Sequence, residues 1–313
     1  SGKVRLVCQT CLRALQRGGV VADASRDGQH SRKDDHVPHA RHSTGFATHV
    51  NRAPGMTALQ ARFDAAQRIA AQAADLAMRM RPPAGAAQAT LKGAQDWLTE
   101  ADGAVERFLS DALAAAFPAD GFQGEEGGAT RGGTLRWVAD PIDGTSNFAR
   151  GAPRWCVSLA LLDGDAPMVG VLAAPALGET FAACTGQGAT LNGAAIRAAG
   201  TITLSRAIIE AGWSPRVDLA GYQALCARIQ AAGAMLRNGG SGALGLADVA
   251  AGRMDGYAEL HINLWDCAAA LVILAEAGAA TSHFLPRGLQ GSAPILAAAP
   301  GVADVLAAVA MLP

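Results

Sequence analysis

The sequence predicts an α/β fold in which sheets are covered by helices. Three observations carry this expectation. Residues 57–80 place Leu59, Phe63, Ala66, Ile69, Ala70, Ala73 and Leu76 at the three-and-four spacing of one helix face. Residues 135–183 hold short, nearly continuous apolar segments of strand length. From residue 207 onward, strand-like and helix-like segments alternate.

The first helix ends at Pro82-Pro83, because proline cannot continue a helix. A second helix is expected over 101–117, with Val105, Phe108, Leu109, Leu113 and Phe117 inward and Pro118 as its stop. A strand over 135–139 leads to Asp140. The apolar run 155–162 closes at the turn Asp163-Gly164-Asp165, and 168–173 and 179–183 read as paired strands. Asn192-Gly193, in the turn region 186–193, is a hairpin signal. Further strands are expected over 207–210, 234–237, 256–260 and 295–298, and helices over 219–232, 244–251, 265–277 and 302–311.

Composition bounds the function. The chain has 313 residues, 50% hydrophobic and 17% charged, enough for a large core. A formal net charge of −1 argues against an electrostatic nucleic-acid binder. No apolar run reaches the roughly 18–20 residues that cross a membrane. Cys156, Cys184, Cys226 and Cys267 sit singly in apolar surroundings, as buried free thiols do. A reducing cytoplasm is therefore expected.

Residues 1–55 read differently. They hold His30, His36, His39, His42 and His49, many arginines and no sustained apolar period. They are expected to be a tag, a mis-assigned start or a disordered extension. Cys8-Gln-Thr-Cys11 lacks the second ligand pair of a structural zinc site, so no zinc is expected there.

Three acidic segments stand where one element turns into the next: Gly124-Glu125-Glu126-Gly127-Gly128, Asp140-Pro141-Ile142-Asp143-Gly144-Thr145, and Leu264-Trp265-Asp266. In the second, Pro141 fixes its own φ and biases Asp140 toward an extended conformation. A turn at Asp143-Gly144 brings the carboxylates of Asp140 and Asp143 to one side, with the Ile142 carbonyl between them. That is an oxygen-only ligand set suited to a hard cation. Gly144 permits close approach to an anion. If Thr145 opens a helix, the amides of Gly144 and Thr145 face that anion. Singly, Asp266 reads equally well as a helix cap, Asp143 as a turn residue and Glu125-Glu126 as a solvated loop tip.

Trp-Val-Ala-Asp-Pro-Ile-Asp-Gly-Thr-Ser-Asn-Phe at 137–148 resembles the signature of the inositol monophosphatase family, the magnesium-dependent, lithium-sensitive phosphatases. Trp265-Asp266 with Ala268-Ala269 and Glu276-Ala277-Gly278 is similar to a second family element. Gly124-Glu125-Glu126 resembles a third, and Lys92 with Thr99-Glu100-Ala101-Asp102 a fourth. The resemblance covers residue 56 to the C-terminus. It implies a layered α-β-α-β-α sandwich of the inositol monophosphatase and fructose-1,6-bisphosphatase type, usually a homodimer. Residues 56–195 would form an N-terminal half with the metal motifs. Residues 196–313 would form a C-terminal half with the substrate loop and the last metal ligand.

The resemblance also implies roles. Glu125, Asp140, the Ile142 carbonyl, Asp143 and Asp266 would hold two Mg2+ ions, and Asp102 would contribute to a weaker third site. Glu125 and Thr145 would orient a metal-activated water for in-line attack on phosphorus. Glu126, Lys92 and Thr99 would support this cluster from behind. Gly144 and Thr145 would cradle phosphate. Gly240-Ser241-Gly242-Ala243 is similar to the family's substrate loop, although Ser241 and Gly242 replace its threonine and alanine. Glu259, seven residues before Asp266, falls where the family accepts inositol hydroxyls. The expected reaction is hydrolysis of myo-inositol monophosphate. Histidinol phosphate and a 3′-phosphoadenosine nucleotide are alternatives, as is a non-catalytic binding or regulatory protein. Gly240-Ser-Gly242-Ala-Leu-Gly245 also matches GxGxxG, but its preceding strand is short and too little chain follows for a full dinucleotide domain.

Overall fold

The computed structural model describes residues 6–7, 56–84, 90–93, 96–284 and 291–312. The elements run β1 (Leu6–Val7), α1 (Met56–Met80), β2 (Thr90–Gly93), β3 (Asp96–Leu98), α2 (Glu100–Ala116), β4 (Gly121–Gly124), β5 (Gly128–Arg131), β6 (Leu135–Asp143) and α3 (Thr145–Ala149). They continue with β7 (Cys156–Asp163), β8 (Ala166–Ala174), β9 (Glu179–Cys184), β10 (Ala189–Leu191), β11 (Ala194–Ala195) and β12 (Ile208–Ala211). The rest are α4 (Leu219–Ala231), β13 (Met235–Arg237), α5 (Gly242–Ala250), β14 (Gly256–Asn263), α6 (Leu264–Glu276), β15 (Ala280–Ser282), β16 (Ser292–Ala298) and α7 (Ala303–Ala310).

Two mixed sheets hold all of these strands except β2 and β3, which pair with each other as a separate antiparallel ribbon. The eight-stranded sheet has the order β11-β10-β9-β8-β7-β6-β4-β5, and the six-stranded sheet β1-β15-β16-β14-β12-β13. Helices α1 and α2 pack together on the outer face of the larger sheet. Helices α5 and α6 lie between the sheets, and α4 and α7 cover the outer face of the smaller one. The result is the expected five-layer α-β-α-β-α sandwich.

Side-chain alternation explains the layers. In β7, Val157, Leu159 and Leu161 join the core under α1 and α2, while Cys156, Ala160 and Leu162 join the central core around α5 and α6. A strand buried on both faces must be apolar throughout, which is why 155–162 carries no polar alternation. A third core, including Ile209, Leu225, Ile229 and Leu306, lies under α4 and α7.

Several boundaries differ from expectation. Strand β6 continues past Ala139 to Asp143, because β7 keeps pairing with it as far as Asp143–Cys156. The register shifts between Asp140 and Asp143, so the ladder passes over Pro141, which has no N–H to give. Strand β14 likewise runs on to Asn263 through a shift between Glu259 and Ile262, which puts His261 on a strand. Asn192 and Gly193 both have positive φ, 50° and 79°, as the β10–β11 hairpin requires. Of residues 1–55, only Leu6–Val7 is described, as an edge strand antiparallel to Thr281–Ser282. The expectations for the remainder of 1–55, including Cys8 and Cys11, lie outside the described residues. Among the described residues, no helix is long and apolar enough to cross a membrane.

Candidate active site

The site is assembled at the ends of β4 and β6 and at the start of α6. Beyond β4, the Glu125 N–H donates to the Ala139 carbonyl at 3.2 Å, tying the loop to β6. Glu106, buried on α2, accepts from the N–H groups of Glu126 at 2.8 Å and Gly127 at 2.6 Å. The loop lies so close that a Cβ at Gly124 would fall 2.2 Å from the Glu106 carboxylate. At the β6 irregularity, Asp140 Oδ1 accepts from the Ile142 N–H at 2.9 Å. Asp266 is the third residue of α6, and its Oδ2 accepts from Asn263 N at 2.9 Å in a capping box.

Glu125, Asp140 and Asp266 thereby bring one carboxylate oxygen each within 4.8 Å of one another. Burial drives the Asp140 carboxyl well above its ordinary value, and the neighbouring charges of Glu125, Asp143 and Asp266 push in the same direction. Burial, then the Asp143 charge, raises Asp266 to about 7. A bound cation would relieve all of these shifts. The donors are all oxygens, as hard cations prefer. The cluster therefore fits a divalent metal.

One oxygen of Asp143, Oδ2, is engaged outside this cluster. Its carboxylate accepts from the Ser241 hydroxyl and from the Ala243 N–H at 3.1 Å, at the start of α5. Burial raises it to about 6, against the lowering effect of the Ser241 hydrogen bond. Asp143 thus links the β6 end to the Gly240–Gly242 loop. Thr145 begins α3, and its hydroxyl donates to the Ile142 carbonyl at 2.9 Å, so two residues assigned by resemblance touch each other. Gly144 has φ +89°, and a Cβ there would meet the Arg154 and Gly240 carbonyls at 2.9 and 3.2 Å.

Asp102 is the capping-box residue of α2. Its Oδ2 accepts from Thr99 N at 2.8 Å and Thr99 Oγ1 at 2.5 Å. Burial raises it above the ordinary value, with a smaller push from the Glu126 charge. Lys92 lies on β2, and its side chain is outside the described residues. Glu259 is buried and receives the Tyr257 hydroxyl at 2.5 Å, and burial lifts it to about 8.

Beside the cluster opens a cleft of about 380 Å³. Asp143, Ser146, Asn238, Ser241 and Trp213 line it, together with Gly240 and Gly242 of the loop. Asn147 fixes that loop by donating to the Arg154 carbonyl at 2.7 Å and the Gly239 carbonyl at 2.9 Å. Arg154 in turn pairs with Glu210 and Asp248, both at 2.7 Å. Glu210 accepts the Gly239 N–H at 3.0 Å.

Sequence reasoning missed Glu106, Asn147, Arg154, Glu210 and Trp213. Two left a signal: Asn147 lies inside the 137–148 motif, and Glu106 sits one turn from Asp102, inside the apolar stripe of α2. The GxGxxG spacing has a packing cause. A Cβ at Gly245 would fall 2.5 Å from the Tyr257 ring, and Gly240 has φ +74°.

Five layers with a partly buried, oxygen-only carboxylate cluster at two strand ends and a helix start define a layered α/β sandwich class with a candidate cation site. The chain belongs to the inositol monophosphatase family, whose model matches residues 58–310. It is 40% identical over 224 residues to the inositol-1-monophosphatase of Mycobacterium bovis, covering 68% of this chain and 77% of that protein. It is 38% identical over 199 residues to the Nus factor SuhB of Xylella fastidiosa, covering 62% and 71%. The crystal structure of the extragenic suppressor protein suhB from Bartonella henselae superposes with a TM-score of 0.73 at 29% identity, covering 80% of this chain and 98% of that one. Nothing in this membership supports the dinucleotide reading.

Proposed function

We propose that this chain is a Mg2+-dependent phosphatase that hydrolyses a phosphate monoester, with myo-inositol monophosphate as the favoured substrate. The observation that carries the reading is the convergence of Glu125, Asp140 and Asp266 within 4.8 Å, with Thr145 at the start of α3 linked to Asp140 through Ile142. Glu125, Asp140, the Ile142 carbonyl, Asp143 and Asp266 would hold two ions, and Asp102 would contribute to a third. Bound there, Mg2+ supplies Lewis-acid stabilisation of the phosphoryl oxygens and a more acidic water.

The chain's own groups do the rest. Glu125 orients the attacking water and accepts its proton. The Thr145 hydroxyl, held by the Ile142 carbonyl at 2.9 Å, supports that water from the other side. The backbone of Gly144 and Thr145 receives phosphate. Asp143, anchored to Ser241 and Ala243, keeps the substrate loop against the phosphate end. Glu126, Lys92 and Thr99 support these groups from behind, and Glu259 contributes to the alcohol end. Inositol monophosphate is favoured by the name of the Mycobacterium bovis relative.

The reading extends to a cytoplasmic homodimer, in keeping with the free thiols of Cys156, Cys184, Cys226 and Cys267. A second reading, a binding or regulatory protein that keeps the fold, draws on the Nus factor name of the Xylella relative. Phosphate release from a panel of esters, with and without Mg2+, separates the two. Metal-dependent release is expected, and Glu125→Gln should lower it about a hundredfold or more. Wild-type-like turnover in that variant would overturn the mechanism.

A further inference from the structure

Trp213 is 38% exposed although it stands at the wall of the cleft. Its ring centroid lies 4.8 Å from that of Tyr222, at an interplanar angle of 59°. Tyr222 is itself fixed. Its hydroxyl receives Asn238 Nδ2 at 3.3 Å, and the same Asn238 group donates to the Ala211 carbonyl at 2.9 Å. The indole is therefore a braced surface, tied to the end of β12, with part of its face open to the cleft.

Ser146, Asp143 and the Gly240–Gly242 loop line the same cleft and make it polar beside the indole. Glu259 stands behind this lining. A Cβ at Gly212 would fall 2.3 Å from its Oε2, and one at Gly242 3.8 Å from it. Its carboxylate is already engaged by Tyr257. The cleft thus offers the alcohol half of a substrate an aromatic wall beside polar groups, with the Glu259 carboxylate set behind them.

A ring such as a cyclitol or cyclic sugar carries C–H bonds on its faces and hydroxyls around its rim. An aromatic face covers the first while nearby polar groups take the second. A flexible acyclic alcohol offers no such face. We propose that Trp213 is a specificity-determining residue that selects phosphorylated rings, by packing its indole against the C–H face of the alcohol half. This inference rests on the phosphatase reading and names its substrate class.

The test compares myo-inositol 1-phosphate with glycerol 2-phosphate in the full chain with Mg2+. Trp213→Leu keeps apolar bulk and removes the flat face, whereas Trp213→Phe retains a ring. Trp213→Leu should lower the ratio of kcat/KM for the cyclic over the acyclic ester about tenfold, with the loss falling on KM. Trp213→Phe should restore most of it. An unchanged ratio in Trp213→Leu, with both esters still hydrolysed, overturns the inference and leaves the phosphatase reading standing. A fluorescence titration with myo-inositol gives a readout without turnover. If the wild type hydrolyses neither ester, a saturable signal with myo-inositol but not with glycerol, lost when Trp213→Phe removes the indole reporter, upholds ring recognition while the phosphatase reading falls. Absence of that signal in the wild type counts against both.

Discussion

Glu106 shows how one side chain sets the position of another. Its two oxygens take the N–H groups of Glu126 and Gly127, the two residues that follow Glu125. Hydrogen bonds to a charged acceptor contribute about 1.5–3 kcal/mol each. In Glu106→Ala both amides lose that acceptor, and the loop is released from α2. The Mg2+ concentration for half-maximal activity is expected to rise about tenfold, while Glu106→Gln, which keeps one acceptor oxygen, falls between. A metal titration indistinguishable from wild type in Glu106→Ala would remove this role. The residue was nearly invisible in sequence, because its partners lie 20 and 21 positions away. Arg154 was wholly so: Glu210 and Asp248 stand 56 and 94 positions off, and no local pattern announces such a pair. The acids of 124–128, 140–145 and 264–266 were legible because turn and cap chemistry confines each to a short segment. What the sequence could not say is that Asp143 turns toward Ser241, which only the packing of α5 beside β6 decides.

At the scale of elements, the best-read segments were those buried on both faces. Residues 155–162 and 168–173 show as strands because continuous apolar runs of that length have few other uses. Ends were read less well. β6 outruns its apolar segment because pairing with β7 continues past Pro141, and pairing is a property of two strands. The packing of α6 on β8 was equally unreadable, since its contact is a glycine. A Cβ at Gly170 would fall 2.2 Å from the Ala269 carbonyl oxygen, in the backbone of α6. Neither backbone can yield as a flexible side chain would. Gly170→Ala should therefore destabilise the fold by about 3 kcal/mol, the upper part of the range for overpacking. The urea midpoint measures this, and an unchanged midpoint would show that α6 and β8 separate without strain.

For the whole molecule, the cost of the site appears in how stability depends on pH. Glu259 is buried, with its carboxyl lifted from an ordinary 4.5 to about 8. Between those values the unfolded chain has released a proton that the folded chain still holds. Stability from the neutral acid is thus complete below about pH 4.5 and is lost as pH rises through about 8. Unfolding free energy should fall by about 1.4 kcal/mol per pH unit from this group within that window. Asp143 and Asp266, raised to about 6 and 7, act with the same sign in the metal-free chain. Glu259→Gln should flatten the slope between pH 6 and 8, measured by denaturation in chelator. Equal slopes in variant and wild type would assign the pH dependence elsewhere.

Asp102 and Asp266 each close a capping box at the first turn of a helix, α2 and α6. Asp266 thus belongs both to the carboxylate cluster and to a helix start, and α2 and α6 pack on the larger sheet from opposite sides. A descendant that gave up hydrolysis for some other employment would still need these acids to begin those helices. Inheritance would then preserve much of the motif long after the chemistry had gone. The presence of these two aspartates records ancestry and architecture together.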